Sequence, residues 1–137
     1  MKLIASFALL ATLLGCASIP TPGDKVATVV PWTRHLLFSE ATPDTAIVSI
    51  TRDSGFVGSD CPTTLFVNGQ MAALVKAGET VTLHLPVEPA TLGAIPFGVC
   101  GGGLAHMEIH PTQASPARYR IGPDGDGEID FYPIVPR

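Results

Sequence analysis

Nowhere in the 137-residue sequence is there a run of about 20 apolar residues, the length needed to cross a hydrocarbon core of roughly 30 Å. A permanent spanning helix is therefore not expected. Basic residues are scarce too: eight Lys and Arg stand against twelve Asp and Glu, with no basic cluster. That balance argues against nucleic-acid binding and against charge-driven docking on anionic lipid. From Val26 onward no window sustains apolar residues at i, i+3, i+4 and i+7, and thirteen prolines and fourteen glycines interrupt the chain too often for helices of ordinary length. The chain reads as all-β. Catalytic signatures are missing as well. No G-x-S-x-G elbow surrounds Ser54 or Ser59, and Gly101-Gly102-Gly103 is followed by neither a helix start nor G-K-[ST].

What is present begins at the N-terminus. Lys2 precedes an apolar stretch from Leu3 to Leu14, broken only by Ser6 and Thr12, with the form of a signal peptide. It ends in Leu13-Leu14-Gly15-Cys16, which resembles the lipobox of bacterial lipoprotein precursors. The resemblance implies cleavage after Gly15, lipid on the Cys16 thiol and acylation of the new amino terminus. Several acyl chains on one residue exceed the two-signal threshold for stable anchoring, at about 0.8 kcal/mol per buried CH₂. Ala17, rather than aspartate, after the cysteine implies sorting to the outer membrane. The competing reading is an ordinary signal peptide with an incidental cysteine.

Ser18 to Lys25, with Pro20, Pro22 and Gly23, reads as a short stiff tether, and eight residues reach at most about 26–29 Å. Residues 1–15 are thus expected as signal peptide, 16–25 as lipidated terminus and tether, and 26–137 as one domain. The net charge of −4 becomes −5 once Lys2 leaves with the signal.

With Cys16 assigned to lipid, Cys61 and Cys100 remain as a pair in an exported protein, where oxidation is permitted. A disulfide closing a loop of about 40 residues stabilises by roughly 4 kcal/mol in the chain-entropy account. The alternative is a catalytic Cys-His arrangement using His84, His106 or His110.

Period-two patterning predicts a small antiparallel β-sandwich of about seven or eight short strands. Asn68-Gly69 suits a type I′ turn, so Thr63–Val67 and Gln70–Val75 are expected to form a hairpin. Thr80–Leu85 alternates, with Val81, Leu83 and Leu85 inward and Thr80, Thr82 and His84 outward. Further strands are expected at Ala27–Val30, Ala46–Arg52, Leu104–His110, Ala117–Ile121 and Glu128–Tyr132, with Leu92–Gly103 a loop pinned by Cys100. The stretches "TRDSGFVGSDC", "LFVNGQMAALVKAGETVTLHLP" and "CGGGLAH" resemble uncharacterised bacterial envelope lipoproteins, and the middle one is similar to PEGA-like β-domains. That resemblance covers roughly Ser49 to Glu108 and implies a small sandwich displayed at the envelope, with no known reaction. The "PAGxH" common after "LP" in such families is replaced here by Pro86-Val87-Glu88-Pro89-Ala90.

Few residues suggest chemistry. His106, Glu108 and His110 share one face of a strand at about 6.6 Å intervals, a spacing side chains can bridge around a metal. The bland alternative is a solvated face. If the last three strands meander, Arg118 and Arg120, then Glu128 and Asp130, complete acid–base–acid rows beside it. Asp124, Asp126, Glu128 and Asp130 partly resemble a calcium loop but lack the EF-hand order, and two Asp-Gly steps suit a hairpin loop. Arg52-Asp53 reads as a binding pair or as a strand end. Trp32, with Arg34 and His35, reads as a contact patch or as a core anchor. The expectation is a non-enzymatic, lipid-anchored binding or structural module of the outer membrane and periplasm, with an envelope protein partner and no cofactor. Two alternatives stand beside it, a toxin-neutralising lipoprotein and a metal-binding envelope factor using His106, Glu108 and His110.

Overall fold

A computed structural model describes residues 27–54 and 61–136. The expected signal peptide, Cys16, the tether and Ser59 lie outside the described residues. Among those described are nine strands: β1 (Thr28–Val29), β2 (Thr45–Arg52), β3 (Thr63–Val67), β4 (Gln70–Val75), β5 (Glu79–Pro86), β6 (Ala90–Pro96), β7 (Ala105–Ile109), β8 (Ala117–Pro123) and β9 (Ile129–Pro133). They form a five-stranded sheet in the order β1-β5-β2-β8-β9 and a four-stranded sheet in the order β4-β3-β6-β7. The all-β expectation holds.

Local chemistry explains most of the strands. Asn68 and Gly69 both have positive φ, 49° and 77°, so the chain reverses in two residues and joins β3 to β4 as expected. In β5 the inward Val81, Leu83 and Leu85 are buried, while Thr80, Thr82 and His84 are only partly covered. β2 alternates in the same sense. Val48 and Ile50 enter the core, and the outward hydroxyls pair across the sheet, Thr51 to Thr80 at 2.9 Å and Ser49 with Thr82 at 3.3 Å. Leu65, Leu83, Leu85, Leu92 and Ile121 are wholly buried, each such side chain contributing about 1.5–3 kcal/mol.

Two expectations are corrected. The predicted loop over Leu92–Gly103 begins as a strand, because β6 runs from Ala90 to Pro96 and sends Leu92 and Ala94 into the core. Gly93 sits on its outer face where a neighbour crowds it, a common reason for glycine inside a strand. The meander considered for the last three strands does not form beyond the β8–β9 pair. β7 pairs with β6, whereas β8 lies parallel to β2 and antiparallel to β9. The segment between β7 and β8 carries the chain to the other sheet, where β2 has apolar residues facing the core and needs a partner on its second flank. Arg118 and Arg120 therefore lie beside Ser49 and Thr51, and no acid–base–acid rows form with His106 and Glu108.

Both open sides of the sandwich are closed. On one, residues 30–38 cross from β5 to β4 and back, through Val30 N to Thr80 O (2.9 Å), Leu36 N to Ala72 O (2.8 Å) and His84 N to Phe38 O (2.8 Å). On the other, the Gly103 N–H donates to Glu128 Oε2 at 2.6 Å, joining the β6–β7 and β8–β9 connections. Cys61 and Cys100 are joined as a disulfide, with Cα atoms 6.1 Å apart. The bond marks the end of the sandwich where β2, β6 and β8 finish and β3 and β5 begin, called here the disulfide end.

Candidate functional site

The outer face of the four-stranded sheet carries an apolar groove. Phe66, Gly93 and His106 form one cross-strand row, and Thr64 and Ile95 the next, with Leu104 just before β7. The resulting cleft has a volume of about 370 Å³, and Phe66, Ile95 and Leu104 supply much of its wall. Gly93 makes the floor. A Cβ there would stand 3.4 Å from the Phe66 Cβ and 3.6 Å from a Leu104 methyl, so both side chains lean over the bare backbone. Met71, opposite Phe66 on β4, extends this surface and is 41% exposed; Leu104 is 60% exposed. The other sheet presents the opposite chemistry outward, with Ser49, Thr51, Thr80, Thr82, Arg118 and Arg120. One outer face is hydroxylic and charged, the other oily. Contiguous apolar surface left in water is a mark of a binding face.

The ionic groups at the disulfide end are structural. Arg52 points inward and is 1% exposed, and its NH1 donates to the carbonyls of Cys61 and Val75. Burial lowers its pKa while the nearby Glu79 charge opposes that shift. Glu79 in turn is gripped by both terminal guanidinium nitrogens of Arg34, at 2.7 and 2.5 Å, and accepts the Lys76 N–H at 2.8 Å. Arg34 also donates to Leu74 O at 2.8 Å, fixing the crossing segment to β4. Asp53, buried on the outer side, binds Arg120, whose guanidinium lies 4.6 Å from the Tyr132 ring centre. Gly122 is required beneath this pair, since any side chain there would overlap the Asp53 carboxylate.

No family model, curated protein or solved structure matches the chain. His106, Glu108 and His110 are not gathered into a group of three: His110 Nε2 lies 3.7 Å from Glu108 Oε1, both side chains are about 70% exposed, and no metal-holding group of three occurs among the described residues. His106 instead lines the groove. The Asp124 carboxylate is occupied by its own turn, accepting the amides of Asp126 (2.8 Å) and Glu128 (3.0 Å), while Gly127 supplies a positive φ of 81°. The aspartates therefore form a hairpin loop and not a calcium cradle. Cys61 and Cys100 are bonded to each other, which removes both from the Cys-His alternative. Arg52 and Asp53 are both buried and act as internal ties, not as a ligand-binding pair. Trp32 is 85% exposed and anchors no core, Arg34 is committed to Glu79, and burial holds the His35 imidazole below its ordinary pKa.

Glu79 gives the first testable expectation. Its pKa is lowered, chiefly by the hydrogen bonds from Arg34 and against its own burial. A depressed carboxylate contributes stability that is present above its unfolded pKa, about 4.5, and is lost as pH falls through the folded value. Denaturant melts across an acid series should therefore show E79Q less stable than the parent at pH 7, with the gap closing in acid. A gap that stays constant with pH would remove Glu79 from this role.

Proposed function

We propose that the protein is a membrane-anchored lipoprotein of the bacterial cell envelope, at the outer membrane facing the periplasm, whose β-sandwich is a non-enzymatic binding module. The groove of Phe66, Gly93, Ile95 and Leu104 seats an apolar segment of another envelope protein. One observation carries the reading: an oily cleft floored by glycine on a sheet whose counterpart is covered with hydroxyls and arginines. The signal-like N-terminus and Cys16 motif support the location. The Cys61–Cys100 bond keeps both of those thiols in a structural role, consistent with a domain that acts by binding.

A photo-crosslinking amino acid placed in cells at Met71 or Leu104 should form protein adducts, whereas one at Ile47, on the hydroxylic face and 42% exposed, should not. With the crosslinker at position 71, L104D should reduce adduct yield about tenfold or more, the equivalent of 1.4 kcal/mol of binding. Equal labelling from both faces, or no adduct from either groove position, would count decisively against the module.

A further inference from the structure

We propose that the disulfide end of the sandwich rests on the bilayer, with Phe97 and Val99 in the interfacial layer of a zwitterionic lipid surface. This rests on the lipid-anchor reading and adds to it an orientation and a contact.

The connection between β6 and β7 turns at Gly98–Cys100 and leaves two large apolar side chains in water, Phe97 at 53% and Val99 at 102% exposure. Such residues would fold back on the domain if the loop were free to collapse. It is held out instead. The Phe97 N–H donates to Pro62 O at 2.7 Å at the base of the loop, and Cys100 is tied to Cys61 on its far side. An apolar tip pinned outward in this way has no partner within the described residues.

The chain also arrives at this end. Thr28 pairs with Glu79, the first residue of β5, and β1 then runs parallel to β5 away from the disulfide end. Val75, Thr63 and Pro96 form the cross-strand row that closes the other sheet at the same end. From Cys16 to Ala27 are eleven steps of chain, at most about 36–40 Å. β5 alone is about 26 Å long, so presenting the opposite end to the membrane would consume most of that reach. The proposed anchor therefore reaches a membrane at the disulfide end with tether to spare.

Charge decides the kind of lipid. Among the described residues, Asp124, Asp126 and Glu128 lie in the β8–β9 loop at this end, and Lys76 is an exposed cation at the same end. Anionic headgroups would be repelled by that balance, so contact depends on burying Phe97 and Val99 among neutral headgroups, where aromatic side chains are favoured.

The test uses the full lipidated protein in vesicles of phosphatidylethanolamine and phosphatidylcholine with brominated acyl chains. Trp32 is the sole tryptophan, so W32F supplies a silent background. V99W or F97W reports the disulfide end, and V87W the opposite end, where Val87 follows β5 and is 51% exposed. Emission from V99W and F97W should be quenched about twofold or more and shifted to the blue, with V87W unchanged. Acylation of Cys16, read from the mass of the N-terminal peptide, separates the possible failures. Acylated V99W and F97W proteins whose emission is unquenched, or quenched no more than that of V87W, overturn the orientation. A protein without acyl groups overturns the anchor reading and this inference with it.

Discussion

Arg52→Ala should lower the unfolding free energy by about 3–5 kcal/mol, the cost typical of removing one partner from a buried charge network. Arg52 heads the wholly buried side chains in size and faces the core at the end of β2. Its loss strips the Cys61 and Val75 carbonyls of a charged donor, takes a positive charge away from Glu79, and leaves a cavity where the stem had packed. Since domains of this size are stable by only about 5–15 kcal/mol, the variant sits near the edge of folding. R52M retains most of the stem volume and should recover the cavity part of the loss but not the carbonyl part, falling between R52A and the parent in urea melts. A decrease below about 1 kcal/mol for R52A would show that solvent replaces the guanidinium without penalty.

Removing the disulfide should have an effect of similar size. The bond joins residues 39 apart in sequence, so C61A/C100A, or reduction of the parent, should lower stability by about 4 kcal/mol if the entropy of the unfolded chain dominates. Thermal melts with and without reductant measure it directly, and identical curves would sink it. The two losses should not add. Arg52 is bound to the carbonyl of Cys61, so each change loosens what the other holds, and R52A made in the reduced protein should cost less than in the oxidised one.

The sequence announces those elements whose cause is local. Asn68-Gly69 requires positive φ at two successive residues, which leaves little choice but a tight hairpin, and both strands match the expected bounds. The clean alternation of β5 and the pairing of Cys61 with Cys100 are equally open to reading. What cannot be read is set by contacts between distant segments. Gly93 and Pro96 look like loop residues until Phe66 and Leu104 are seen to need the empty space above Gly93. Periodicity tells which face of a strand is buried but not which strand lies beside it, so β8 reads as a neighbour of β7 although β2 is its partner. The groove is hidden for the same reason. Its outward apolar residues come from three separate strands, and each one alone is an ordinary half-buried or exposed side chain. Glycine within an apolar alternating run is the only local hint.

The parallel alignment of β8 with β2 governs the order in which this molecule can be assembled. Val48 meets Ala117 and Arg52 meets Ile121, so a chain emerging amino end first exposes one flank of its central strand until nearly all of it has been delivered. Contacts that distant in sequence slow folding, placing all-β domains of this kind in the millisecond-to-second range. The hairpin of β3 and β4 has only local contacts to make, whereas the five-stranded layer is complete only when β8 and β9 have added to the far flank of β2.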